Sequence, residues 1–112
     1  MSGDVTIRRG DIWWVSTEAV SDGGNSKMRP AVVLTADGLN RARCSIVIVP
    51  LSLQADARPP IVVATPSAGP QAAVVCDQLR AIDKALLVEI IGRLAPIDLR
   101  AVQEGVRSVL EL

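Results

Sequence analysis

The sequence predicts a small, mainly β domain that ends in one α-helix. Two observations point to strands. The 112 residues include no Phe or Tyr and only two Trp, so the core must come from Val, Ile, Leu and Ala, among which the β-branched residues favour strands. Apolar stretches are also short and punctuated by Pro and Gly. The helix is predicted by apolar residues that recur at helical spacing near the C-terminus. A chain of this length forms a single domain, 1–112.

Six segments are predicted to be extended and to give six or seven strands, the last of them after a short turn. They are 11–15, 30–35, 45–51, 61–65, 73–82 and 86–94. Between the first two, 16–28 is rich in Ser, Asp, Gly and Asn and is expected to be a long mobile loop of the kind that often serves function. Many short strands around one core predict a small barrel with the helix as its flank or plug.

The C-terminal segment is predicted to be an amphipathic helix of about four turns. Pro96 suits the first helical position, where its missing N–H is not needed, and Asp98 places a negative charge near the positive end of the helix dipole. Apolar residues follow at positions 99, 102, 106, 109 and 110. Earlier in the chain, the connection 36–43 is expected to contain about one helical turn.

The location of the protein is expected to be the cytoplasm. The longest apolar runs are far shorter than the ~20 residues that a membrane-spanning helix requires. Residues 1–10 lack the apolar core of a secretory signal. In a reducing cytosol, Cys44 and Cys76 are expected to be free thiols, and the strand-forming residues beside them predict that both are buried.

The overall charge gives no indication of nucleic-acid binding, because twelve basic and twelve acidic residues balance. Within one stretch, Lys27, Arg29, Arg41 and Arg43 outnumber the acidic Asp37. This stretch is the one net-basic segment of the chain. On charge alone, a solvated surface is its ordinary interpretation.

The residue inventory excludes several kinds of catalyst. Without histidine, the chain cannot form a two-histidine ribonuclease or a Ser-His-Asp hydrolase. Two separated cysteines and scattered single carboxylates do not match zinc or magnesium sites, so we expect no metal ion and no other cofactor. The remaining arginine and hydroxyl chemistry suits RNA cleavage by the RNA's own 2′-hydroxyl, in which the protein aligns the groups and stabilises charge on the phosphate.

Four ordered blocks resemble the MazF/PemK toxins. They are RRGDIWWV at 8–15, MRPAVVLT at 28–35, VIVPLS at 47–52 and DQLRAIDK at 77–84, with Asn40 and the closing helix also in place. The resemblance covers 8–112. It implies an SH3-like barrel with a C-terminal helix, a two-fold homodimer, and a cognate antitoxin. It also implies metal-independent, sequence-specific cleavage of single-stranded mRNA in the dimer groove.

The resemblance places the catalytic pair on Arg29 and Ser52. The family has an arginine before a proline and a threonine at the end of the central strand. Serine keeps the hydroxyl but lacks the β-branch that restricts χ1, so a less preorganised site is expected. Arg29 is assigned to charge stabilisation and leaving-group assistance, because arginine stays protonated. Many members carry a glutamate at the position of Gly24, which leaves the general base open, with Asp22 as a stand-in.

Five further side chains are expected to contact RNA: Trp14, Lys27, Gln54, Gln78 and Arg80. Neighbouring strand residues point to opposite faces, so one of Trp13 and Trp14 should be core and the other outward, where it stacks on a base or packs at an interface. Gln78 and Arg80 are expected to point the same way along one strand and to read base edges. A structural role for their block is an equal alternative.

Two other functions remain open. A non-enzymatic toxin of the same fold, similar to CcdB, inhibits gyrase through a tryptophan-containing helix tip, which the ending Val109-Leu110-Glu111-Leu112 does not provide. A catalytically inactive RNA- or antitoxin-binding module is the second alternative, because Ser52 and Gly24 both depart from the family pattern. In the enzymatic interpretation, an acidic antitoxin tail is expected to occupy the net-basic segment in place of RNA and to displace the loop 16–28.

Overall fold

The computed structural model describes residues 6–16 and 27–112. In these ranges the chain forms a mainly antiparallel β structure that ends in a helix, which confirms the predicted class. The elements are β1 (Asp11–Ser16), β2 (Met28–Val33), α1 (Asp37–Ala42), β3 (Ser45–Ser52), β4 (Val62–Ala64), β5 (Ala73–Val75), β6 (Arg80–Asp83), β7 (Leu87–Arg93) and α2 (Pro96–Leu110). Most of the predicted loop 16–28 lies outside the described residues.

β3 organises the sheet, whose strand order is β4-β5-β3-β2-β1-β7. One edge of β3 pairs with β2. The other edge pairs first with β6, from Ser45 to Ile48, and then with β5, at Leu51 and Ser52. Because β3 changes partner here, the predicted strand 73–82 is in fact two strands separated by a 3-10 turn at Cys76–Gln78.

The sheet of the predicted barrel is not closed within the described ranges. β4 and β7 stand at the two ends of the strand order, and each pairs with one neighbouring strand. β4 has only three residues, so it offers few hydrogen bonds to a further strand, and α2 packs against β4 and the turn Cys76–Gln78. The helix therefore flanks an open sheet.

Apolar residues are buried on both faces of the sheet. The first cluster lies under α2 and includes Ile12, Val32, Val49, Leu51, Val74 and Val102. The second cluster lies on the opposite face and consists of Trp13, Val15, Ala31, Val33, Ile46, Ile48 and Ile82. Since side chains alternate between faces along a strand, Arg29 and Ser52 share the face of the second cluster.

The helix α2 approaches the sheet most closely at Gly105. A Cβ atom there would lie 2.8 Å from Sγ of Cys76 and 2.8 Å from Cγ2 of Val63, so the contact requires glycine. The buried Cys76 is a free thiol, as predicted. Removal from water raises its pKa to about 11, and the negative charge of Asp77 adds to this effect.

Hydrogen bonds fix the beginning of α2. The buried Asp98 carboxylate accepts a hydrogen bond of 2.7 Å from the Ser67 backbone N–H, and Ser67 Oγ accepts one of 3.0 Å from the Ala95 N–H. Asp98 therefore joins the helix to the 3-10 turn Pro66–Ala68, in addition to interacting with the helix dipole.

Cys44 departs from the prediction that both thiols are buried. It is a free, exposed thiol, because it lies in the connection between α1 and β3, outside the sheet. Among the described residues, no helix is long and apolar enough to cross a membrane.

Candidate active site

Arg29 and Ser52 lie opposite each other at one end of the sheet. The β2–β3 register pairs Val33 with Ile48 and Ala31 with Pro50. The ladder ends at Ala31 and Pro50, and its continuation by two residues would set Arg29 opposite Ser52, with which it shares the lining of one cavity. Directly opposed residues of antiparallel strands have Cβ atoms about 5 Å apart on the same face of the sheet. The structure thus brings together the two residues that the sequence singled out for catalysis.

Both residues line an open cavity of about 560 Å³. Lys27 and Gln78 also line it, so four of the seven predicted site residues share one cavity. Gln78 reaches the cavity because the turn Cys76–Gln78 lies where β3 exchanges β6 for β5. The apolar wall includes Met28 and Leu53, two half-exposed residues that the sequence analysis did not single out.

The cavity suits an anionic ligand. Lys27 and Arg29 contribute two cations, and the described residues of the lining include no carboxylate. Pro30 restricts Arg29 to an extended backbone, which fixes the base of its long side chain. Ser52 Oγ accepts a hydrogen bond of 3.3 Å from the Gln54 backbone N–H. Because a hydroxyl has one donor proton, Ser52 can still donate to a ligand.

The predicted alignment of Gln78 and Arg80 on one strand is wrong. Gln78 belongs to the 3-10 turn, whereas Arg80 is the first residue of β6. Arg80 lines a second, smaller depression together with Arg29. The two side chains therefore serve different parts of the surface, because the turn reorients the backbone between them.

The two tryptophans occupy opposite faces of β1, as predicted. Trp13 is buried in the second apolar cluster, whereas Trp14 is partly exposed. Trp14 lines a third cavity, of about 220 Å³, which shares Leu51 and Leu53 with the large cavity. Gln54 is exposed just beyond Ser52 and lines none of these three cavities.

The net-basic segment does not form one patch. Arg41 lies in α1, and Arg43 directly follows this helix, two residues before the first residue of β3. Arg29 lies opposite the last residue of β3. The seven steps from Ser45 to Ser52, at about 3.3 Å each, separate these ends by roughly 23 Å. Residues that are close in sequence are therefore far apart on the folded surface.

In the part of the chain that the structure describes, no cluster of His, Cys, Asp or Glu could hold a metal ion. Gly24, which occupies the position of the family's glutamate, and Asp22, the candidate replacement for it as general base, lie outside the described residues.

Residues 8–110 match the model of the PemK-like, MazF-like toxins of type II toxin-antitoxin systems. The chain belongs to this family. The match spans the four sequence blocks, and three of these blocks border the large cavity. Block 28–35 forms β2, block 47–52 forms most of β3, and block 77–84 spans the turn with Gln78 and then β6. The family motifs therefore converge on the site of Arg29 and Ser52.

Solved structures share this MazF-like fold. The MazE-MazF structure from Deinococcus radiodurans matches with a TM-score of 0.83 and 22% identity, over 97% of this chain and 99% of that chain. An endoribonuclease in complex with its cognate antitoxin, from a mycobacterial species, matches with a TM-score of 0.76 and 20% identity, over 95% and 96%. A mycobacterial endoribonuclease matches with a TM-score of 0.78 and 19% identity, over 96% and 94%.

Proposed function

We propose that this MazF-like toxin is an endoribonuclease that cleaves single-stranded mRNA at specific sequences. The observation that carries the proposal is that Arg29 and Ser52 line the same cavity, which has two cations and no carboxylate in its described lining. In the reaction, a ribose 2′-hydroxyl gives up its proton to water as its oxygen bonds to the adjacent phosphorus. The bond from phosphorus to the 5′-oxygen breaks, and that oxygen takes up a proton from water, so that no proton is gained or lost overall. The products carry a 2′,3′-cyclic phosphate and a 5′-hydroxyl.

Arg29 stabilises the negative charge that gathers on the phosphoryl oxygens. Its planar guanidinium presents five N–H donors and can contact two phosphate oxygens at once. Ser52, held at the strand end, donates its hydroxyl proton in a hydrogen bond to the same phosphate or to the leaving oxygen. RNA itself supplies the nucleophile and the protein supplies positive charge, so the reaction needs no metal ion or other cofactor.

The remaining site residues bind substrate around this centre. Lys27 attracts phosphate within the large cavity, and Gln78 offers an amide that can hydrogen-bond a base edge. Trp14 offers a partly exposed ring on which a base can stack in the adjoining cavity. Gln54, exposed beyond Ser52, contacts the RNA as it leaves the cavity.

We propose that the toxin acts as a homodimer. Val88, Ile90 and Ile91 of β7 are about half exposed (51%, 46% and 47%), and β7 pairs with β1 alone within the described ranges. An exposed apolar strand at the edge of a sheet is a favourable site for association with another chain. Light scattering at micromolar concentration should therefore give twice the monomer mass of 11.8 kDa, and a monomer would contradict the proposal.

The proposed regulator is a cognate antitoxin that meets the toxin in the cytoplasm. An acidic antitoxin tail would compete with RNA for the cavity of Lys27 and Arg29, whereas Arg41 and Arg43 lie outside this cavity. Calorimetry of the tail peptide, with and without a non-cleavable RNA analogue, should show strict competition. Simultaneous binding at undiminished affinity would rule out a shared site.

Incubation of the purified protein with a long RNA in EDTA tests the enzymatic proposal. We expect cuts at a restricted set of sequences, with 2′,3′-cyclic phosphate ends, and none with an Arg29→Ala protein prepared in the same way. A gyrase-inhibiting toxin would leave RNA intact and block DNA supercoiling by gyrase. A non-catalytic module would bind RNA without cutting it.

A further inference from the structure

A second arginine, Arg80, lies beside Arg29 on one face of the sheet. The β3–β6 register pairs Arg80 with Ile48, and Ile48 belongs to the same apolar cluster as Ala31 and Val15. The β2–β3 register places Arg29 on that face as well. The two arginines start from different sides of β3, and both side chains border one depression whose floor is Val15, Ala31 and Ile48.

We propose that Arg80 binds the RNA phosphate that adjoins the scissile phosphate, so that the strand runs from the large cavity past Arg29 towards β6. This inference rests on the proposed function. Arg29, Pro30 and Pro50 line both the large cavity and the depression, so the two spaces are neighbours. Within residues 6–16 and 27–112, neither Arg29 nor Arg80 forms an ion pair, which leaves both charges for a ligand.

The size of the depression favours a phosphate over a base. Its volume is about 60 Å³, against about 560 Å³ for the large cavity. At 10–15 Å³ for each water, this is space for about four to six water-sized atoms. A phosphate group has one phosphorus and four oxygens, whereas even a pyrimidine base is larger. The apolar floor also offers no side-chain donor or acceptor for a base edge, so Arg80 holds the backbone and does not read sequence.

The first test is the salt dependence of RNA binding by Arg80→Gln. The ligand is an oligonucleotide with the cleavage site mapped in EDTA and a 2′-deoxy sugar at the cut. For single strands, each phosphate contact contributes about 0.7 to the slope of log K against log salt. We expect Arg80→Gln to lower the slope by about 0.7, to raise KM and to leave kcat unchanged. The matched control is Arg43→Gln, an exposed arginine near the far end of β3, which should leave the slope unchanged.

The second test locates the phosphate. Oligonucleotides are shortened from either end so that each step removes one phosphate. The affinity of the wild-type protein should fall when the phosphate next to the scissile phosphate is removed on one side. The Arg80→Gln protein should bind the oligonucleotide with that phosphate and the one without it equally well. Equal losses in wild type and variant at every step, or an unchanged salt slope, would overturn the proposal.

Two further outcomes distinguish a failure of the Arg80 proposal from a failure of the proposed function. If Arg80→Gln altered the base preferred at one position while the salt slope stayed unchanged, Arg80 would read a base and the phosphate assignment would be wrong. If the wild-type protein neither bound nor cut RNA, the proposed function itself would fail, and this result is obtained before any Arg80 variant is made.

Discussion

The region packed under α2 and the large cavity of Arg29 and Ser52 lie on the same sheet but differ in how closely their side chains are packed. Under α2, the chain is packed so closely that Gly105 has no room for a Cβ beside Cys76 and Val63. At the strand ends, Arg29 is exposed and Ser52 is only partly buried. The first region fixes the positions of the strands, and the second carries side chains that contribute little to packing. Changes in the two regions should therefore separate activity from stability.

Arg29→Ala is the change that should affect activity most. Loss of one preorganised charge-stabilising group typically lowers the rate by about 10²- to 10³-fold. Stability should stay the same, because the arginine is exposed and forms no ion pair within the described residues. Initial cleavage rates and urea midpoints check both expectations. A folded variant that cuts RNA within tenfold of wild type would remove Arg29 from catalysis.

Ser52 should show a smaller effect of the same kind. Its hydroxyl is a neutral donor, and hydrogen bonds of neutral groups are weaker than charge-assisted ones. Ser52→Ala should therefore lower the single-turnover rate by about 10- to 100-fold, which is at or below the lower end of the range for loss of a preorganised donor. Ser52→Thr serves as the control and should cut at least as fast as wild type, because its β-branch restricts χ1. Native rates in the alanine variant would show that Ser52 is only structural.

Local sequence predicted most of the fold because alternation and helical spacing act over a few residues. The strands and α2 were predicted in this way. The turn Cys76–Gln78 was missed inside the predicted strand 73–82, because it follows from the two partners that share one edge of β3. The sequence also did not predict whether the barrel closes, because the pairing of strand edges depends on contacts that are remote in sequence.

The candidate site shows the same limit. Family resemblance pointed to Arg29 and Ser52, but their opposition depends on the β2–β3 register, which joins residues distant in the chain. Proximity in sequence suggested that Arg41 and Arg43 join Arg29 in one patch, and the length of β3 separates them. The exposure of Cys44 was also not predicted. Strand-forming residues follow it, but β3 begins only at Ser45.

Gly105→Ala tests the region packed under α2. The added methyl group meets Cys76 Sγ, Val63 Cγ2 and, at 2.9 Å, the backbone oxygen of Pro60. Overpacking of this kind costs about 1–3 kcal/mol. The urea midpoint should fall, while the cleavage rate of the folded protein should remain that of wild type. A matched control is Gly38→Ala in α1, where nothing lies within 4 Å of the new Cβ, so stability should stay equal or rise. Equal stability of the Gly105 and Gly38 variants would contradict the close packing.

The smallest expected effect is a pH dependence of stability that originates at Cys76. Burial, with a further contribution from the charge of Asp77, raises the pKa of this thiol from 9.0 to about 11. Between these pH values the unfolded chain loses the proton while the folded chain keeps it, so stability falls as pH rises. The slope contributed by this group is at most about 1.4 kcal/mol per pH unit, and below pH 9 the contribution is constant.

Urea unfolding of wild type and Cys76→Ala at pH 8, 9, 10 and 11 isolates this contribution. The two proteins differ only at position 76, so the difference between the two curves reports the thiol. The variant should start less stable, because its shorter side chain leaves space under α2, and the gap should narrow above pH 9. Cys44→Ala, which changes the exposed thiol, should keep the wild-type slope. Parallel curves for wild type and Cys76→Ala would show that the region packed under α2 does not hold this thiol in its neutral form.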